Sequence, residues 1–249
     1  MPPLSPPPGI RSWLRRVGAG LTALAFSAAI AFTNSPPTYE LRPGSPDGMG
    51  KWYLGREIAH YMSHQGAPWL ERPEREEEER PSRLMSALEL QPGQTVADVG
   101  AGSGYFTRRL AESVGPQGRV YATDIQPEML ALLRTNMTLH GFTNVVTILG
   151  TPKDPHLPTN ALDLILLVDV YHECEFPFEM TAGMVRALKP GGRLVLVEYR
   201  GEERWIPIKP LHKLTELQVR KEMALHPVTF VTNRVDLPRQ HILEFRRSE

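Results

Sequence analysis

VADVGAGSGYF, residues 96–106, decides the fold. An apolar run of Val96, Ala97 and Val99 breaks into three glycines at alternate positions, Gly100, Gly102 and Gly104, and passes into YFTRRLAESV, where Phe106, Leu110 and Val114 share one helical face. A buried strand, a glycine turn and a helix in immediate succession form the opening unit of an α/β sheet. Bare backbone N–H groups at such a helix start are a docking place for a ligand, so the glycines are expected to let something approach the main chain closely.

The pattern repeats downstream. RVYATDI (119–125), NVVTILG (144–150), LDLILLVDV (162–170) and GGRLVLVEY (191–199) are near-continuous apolar runs, as strands covered on both faces should be. Between them PEMLALLRTNMTLHG (127–141), with Pro at its start and Gly at its end, and FEMTAGMVRAL (178–188) read as helices. After the helix KLTELQVRKEMAL (213–225), VTFVTNRV (228–235) and HILEFRR (241–247) are strands with no helix between them, which allows only an antiparallel pair. The prediction is a doubly wound, seven-stranded, mostly parallel sheet with a C-terminal antiparallel hairpin.

Asp124 closes the second strand about 20 residues beyond the glycines, a position suited to hydrogen-bonding two ribose hydroxyls. The ligand is therefore expected to have a nucleoside part. A dinucleotide-binding turn reads G-x-G-x-x-G, and its third glycine would fall at Tyr105; the G-x-G-x-G spacing here argues against NAD and against an oxidoreductase.

Composition narrows the partners. The 249 residues hold 28 Lys plus Arg against 28 Asp plus Glu, so no net basic charge points to nucleic acid. A single cysteine, Cys174, forms no internal disulfide and no cysteine-rich metal centre, and is expected to be inert packing. A metal site built from His60, His64, His212 and Glu198 lacks any tight ligand spacing, so no metal is expected.

The first 48 residues look unlike a domain. A Pro-rich start, then Arg11, Arg15 and Arg16, then an uncharged stretch Val17–Phe32 read as an export signal or membrane anchor, with Ala29 and Ala31 as a small-x-small cleavage option and residues 11–32 as the membrane contact. The alternative is a cytoplasmic protein starting at Met49. Residues 36–50 read as a Pro/Gly linker, and 49–81 as an N-terminal helical cap with Ile58, Tyr61 and Met62 at helical spacing. EREEEER (74–80) reads as a solvated helix start, followed by a short amphipathic helix carrying Leu84 and Leu88. The remainder, 82–249, is the ligand-binding domain.

VADVGAGSG (96–104), YATDIQPEML (121–130), LDLILLVDVYHE (162–173) and LKPGGRLVLVE (188–198) together resemble the class I S-adenosylmethionine-dependent methyltransferases, over residues 82–249 and in that family's order. MSHQGAPWLER and IKPLHK also look like an unassigned group of bacterial methyltransferase-like proteins. The resemblance implies a Rossmann-like methyltransferase fold with S-adenosylmethionine as cofactor. It implies that Asp98 and the loop Gly100, Ala101, Gly102, Gly104 and Tyr105 hold the methionine end. Asp124 would hold the ribose, with Ile125 and Gln126 beside the adenine and Thr151 in a place where the family usually has an acid or Asn. It puts Asp169 at the methyl-transfer centre.

Displacement at an activated methyl needs positioning above all, and a base where the acceptor must lose a proton. His172 is the candidate base and Asp169 the candidate carboxylate beside the reacting carbon. Tyr171 could face a cation, and His64, Trp69, Tyr199, Lys209 and His212 are candidate substrate contacts; packing is the competing role for each. A methyltransferase acting on a small molecule is the leading expectation. A methyltransferase acting on a membrane-associated protein or lipid is the second, and a non-catalytic binding module the third.

Overall fold

In the computed structural model the described residues are Met1 and 38–249. The signal or anchor expectation for residues 11–32 lies outside them; among the described residues, no helix is long and apolar enough to cross a membrane.

The chain opens with a small antiparallel sheet of β1 (Glu40–Leu41), β2 (Gly48–Tyr53) and β3 (Arg56–Ala59). This corrects two expectations: the linker over 36–50 contains a strand and the start of another, and the cap over 49–81 begins as a hairpin rather than a helix. The turn explains why. Leu54 and Gly55 both have positive φ, 48° and 96°, which is the geometry a two-residue hairpin loop demands, although Leu lacks the turn preference of Asn. The buried Glu57 carboxylate then accepts N–H groups of Ser45 (2.9 Å) and Gly50 (3.2 Å), folding the Pro/Gly segment onto the hairpin. Short helices α1 (Ala67–Leu70), α2 (Arg75–Glu78) and α3 (Pro81–Ala87) follow.

The main unit alternates β4 (Thr95–Val99), α4 (Tyr105–Val114), β5 (Arg119–Asp124), α5 (Pro127–Leu139), β6 (Val145–Leu149), β7 (Leu162–Val168), α6 (Pro177–Ala187), β8 (Leu188–Tyr199), α7 (Glu216–Met223), β9 (Val228–Arg234) and β10 (Gln240–Arg247). The sheet order is β6-β5-β4-β7-β8-β10-β9, with the first five strands parallel and β10 antiparallel to both neighbours. This is the expected seven-stranded sheet with its terminal hairpin. Successive residues of β7 serve opposite layers: Leu164, Leu166 and Val168 pack with Leu110 and Val114 of α4, while Ile165 and Leu167 pack with Met184 of α6 and Val219 of α7. Burial on both faces is why these strands read as unbroken apolar runs. The chain runs outward from β4 through β5 to β6, then crosses to β7, so the strand order reverses between β4 and β7. A crevice forms at the carboxyl ends there, where doubly wound sheets bind ligands.

Candidate active site

A cleft of about 650 Å³ occupies that position, within the range of small-molecule sites. The ends of four parallel strands supply its floor through Gly100, Asp124, Gly150 and Asp169.

At one end the Asp124 carboxylate accepts N–H groups from Gly102 and Gln126, each at 2.9 Å. Two of roughly four lone-pair positions are thus used, leaving acceptor capacity for a ligand. Burial raises the Asp124 pKa against these hydrogen bonds. Gln126 also reaches over the cleft: its Oε1 accepts the His64 N–H (2.8 Å) and its Nε2 donates to the Met62 carbonyl (3.0 Å). Tyr61, Met62 and Trp69 thereby join the wall beside Ile125 and Thr151.

The glycines do something different from what their sequence suggests. All three have positive φ, and a Cβ at each would strike protein: Val170 at 2.6 Å from Gly100, Leu70 at 2.7 Å from Gly102, and Met137 at 2.9 Å from Gly104. Side chains are missing chiefly so that the turn can close against its own fold. Gly100 and Gly102 still present backbone to the cleft; Ala101, Gly104 and Tyr105 are buried and do not line it. Asp98 does not line it either. Its carboxylate accepts the Thr107 hydroxyl at 2.6 Å, and burial, with Asp124 nearby, pushes its pKa up to about 6. Asp98 therefore braces the loop from behind.

Midway along the cleft sits Asp169, at φ 56° just past β7. Its Oδ2 accepts from Gln240 Nε2 (2.6 Å), while its buried Oδ1 has no partner. Burial, together with Glu79 and Glu198, holds its pKa well above the usual carboxylate range. Arg75 and Glu79, expected on a solvated face, are instead a buried ion pair at 2.7 Å; Arg75 lines the cleft and Glu79 accepts the Tyr199 hydroxyl at 2.8 Å. The Tyr199 hydroxyl is thus committed to the protein, although its ring borders the cleft.

The far end is polar and imidazole-rich. His172 is buried, its Nδ1 lying 2.6 Å from Glu198 Oε2 and its Nε2 3.1 Å from His212 Nδ1. Burial alone would lower the His172 pKa, but the charges of Glu198 and Glu173 outweigh it and the net shift is upward. The other Glu198 oxygen accepts the Tyr171 N–H at 2.8 Å, fixing the carboxylate. Tyr171 itself corrects an expectation: its ring is wholly buried in the core beneath Arg56 and does not line the cleft. His64 is exposed and meets the site only through its backbone, and His60 is also exposed. Lys209 borders the cleft and pairs with Asp47. Cys174 lines the cleft, but burial pushes its thiol up to about 12, which agrees with an inert role. Sequence reasoning missed Arg75, Glu79, Glu173 and Gln240; the last three act through partners far along the chain, Tyr199, His212 and Asp169, and Arg75 is held by Glu79.

These residues fit S-adenosylmethionine. Asp124 has acceptor capacity to spare at the nucleoside end, and Asp169 offers an unpartnered oxygen midway. The lining also carries the carboxyl groups of Glu173 and Glu175. Fold and site together define a class I S-adenosylmethionine-dependent methyltransferase.

Comparison with known proteins gives the same class. Residues 90–235 match the family described as "Methyltransferase domain", and the chain belongs to that family. It is 37% identical over 117 residues to a protein-L-isoaspartate O-methyltransferase of Aeropyrum pernix, covering 46% of this chain and 42% of that one. It is 31% identical over 130 residues to the ubiquinone/menaquinone biosynthesis C-methyltransferase UbiE of Laribacter hongkongensis, covering 52% of each. The chain thus spans about half the length of the curated relatives it matches. The crystal structure of a SAM-dependent methyltransferase from Aquifex aeolicus superimposes with a TM-score of 0.70 at 25% identity, over 75% of this chain and 99% of that one.

Proposed function

We propose that the protein transfers the methyl group of S-adenosylmethionine to a small-molecule acceptor held between Asp169 and the His172–His212 pair. The cofactor supplies an electrophilic methyl on a sulfonium. Asp124, Gly102 and Gln126 would hold its nucleoside part.

One observation carries the choice of a small acceptor: beyond the strand ends, the cleft is lined by Tyr61, Met62, Trp69 and Leu70 from ahead of β4 and by Pro207, Ile208, Lys209 and His212 from after β8. Gln126 ties the first of these segments to the end of β5 through His64 and Met62. An acceptor there meets His172, Glu173 and His212, groups able to orient it and to assist loss of a proton.

Calorimetry on the full chain should show binding of S-adenosylmethionine or its demethylated product and none of NAD. Methyl-labelled cofactor incubated with fractionated extract should then place label in the small-molecule fraction. Label confined to protein or lipid would overturn the small acceptor, and binding without any transfer would indicate a module that has lost its chemistry.

A further inference from the structure

His172, Glu173 and His212 meet in a way that hydrogen bonding alone does not require. The atoms that meet are His172 Nε2, Glu173 Oε1 and His212 Nδ1, and their separations are 3.1 Å (His172 to His212), 3.4 Å (His212 to Glu173) and 3.8 Å (His172 to Glu173). A tetrahedral metal with ligands at about 2.0–2.1 Å has edges of about 3.3 Å. The three atoms therefore already stand near the corners of one tetrahedral face.

Two further features point to a cation. The first is Glu198, whose Oε2 lies 2.6 Å from His172 Nδ1 and which is fully buried. A carboxylate on the rear nitrogen fixes the tautomer so that Nε2 presents its lone pair forward, the usual support of a metal-bound histidine. The second is exposure. His172 is 2% exposed while Glu173 and His212 are 16% and 22% exposed, and all three line the cleft, so the fourth corner opens toward the acceptor compartment.

We propose that His172, Glu173 and His212 form a mononuclear divalent-metal site of the zinc type, with its open position facing the acceptor. The proposal rests on the reading of the cleft as a methyl-transfer site. Two imidazoles and a carboxylate with one open position is the donor set of catalytic zinc centres, and imidazole also suits the neighbouring first-row metals. The acceptor class follows: a hydroxyl or thiol compound whose oxygen or sulfur takes the open position. Coordination releases the acceptor's proton to water and leaves its lone pairs on an anionic atom, as a bound zinc lowers the pKa of water from 15.7 to about 7.

The test uses the full chain, stripped with a chelator, dialysed against Zn²⁺ and assayed for metal by mass spectrometry, with cobalt loading as a spectroscopic check. One equivalent of tightly held zinc is expected, and visible absorption of the cobalt form characteristic of four-coordination. His212→Ala should abolish tight binding. Glu198→Gln loses the charge and one of the two oxygens that serve His172 Nδ1 and the Tyr171 N–H, and should weaken zinc about 10–100-fold without touching the metal. S-adenosylmethionine binding is measured on the same samples. Substoichiometric zinc in the wild type, or equal zinc in His212→Ala, overturns the metal site whether or not the cofactor binds. Loss of cofactor binding by a zinc-loaded wild type would instead overturn the methyl-transfer reading.

Discussion

Asp98 offers the sharpest physical test, because its burial makes a signed statement about stability. Its carboxyl titrates at about 6 in the fold against 3.8 in an unfolded chain, with burial as the main cause. Between these values the folded state binds a proton that the unfolded state has released, so stability falls as pH rises from 3.8 to about 6. The full loss is the difference of about 2 in pKa multiplied by 1.36, or about 3 kcal/mol, present at pH 7. About two thirds of that develops between about pH 4.5 and pH 7. Asp98→Asn removes the titration and keeps an acceptor for the Thr107 hydroxyl. Its amide adds donors that need partners, an offset that is the same at every pH. The predicted quantity is therefore the change in the difference between variant and wild type. Urea unfolding at both pH values should favour the variant by about 2 kcal/mol more at pH 7 than at pH 4.5. A difference that stays flat across that window would refute the reasoning and show that the carboxylate is solvated or otherwise compensated.

Asp124→Ala should weaken S-adenosylmethionine binding tenfold or more by calorimetry, since charge-assisted hydrogen bonds contribute about 1.5–3 kcal/mol. It should also lower stability, because the Gly102 and Gln126 N–H groups lose their acceptor. Gly104→Ala sets an L residue at φ 88° with a methyl 2.9 Å from Met137, and should cost about 1–3 kcal/mol by denaturant titration. Arg56→Met strands the fully buried Glu222, which Arg56 holds at 2.7 Å, and should destabilise the fold by about 3–5 kcal/mol. A chain beginning at Met49 would lose β1, the start of β2 and the Tyr39 hydroxyl that donates to Glu179 (2.5 Å); it should melt measurably below the full chain, and an unchanged Tm would show that residues 38–48 are dispensable.

What was legible in the sequence is what depends on near neighbours. The inner parallel strands were readable because they are covered on both faces and so run apolar without interruption, and the helix over 127–141 because Pro and Gly mark its ends. Asp124 and the glycine turn were readable for the same local reason: their spacing is fixed by one strand–helix–strand unit. The N-terminal hairpin was not readable, since its turn uses Leu54 where Asn would signal it, and its anchor at Arg56 finds Glu222 at a separation of 166 residues. The charge run at 74–80 misled because composition cannot show that Arg75 and Glu79 face inward toward Tyr199.

The acceptor end of the cleft was illegible for a deeper reason. His172 and His212 lie 40 residues apart on separate turns, and Glu198 reaches His172 from the end of a third element. Only the closure of β8 against β7 brings these groups together. The same closure holds the half-buried Asp169 in a left-handed conformation with its buried Oδ1 unpartnered, an arrangement that local rules disfavour by about 1–3 kcal/mol. Folding stability alone gives no reason to gather a left-handed Asp169, a buried His172 and the carboxylates of Glu79 and Glu198 at one sheet edge. The proposed methyl transfer from a cationic sulfonium does, because each of these groups is held by protein on one side and faces the cleft or a group that faces it on the other. The departures from local preference thus concentrate between Asp124 and the imidazole pair, where the proposed reading sets the acceptor.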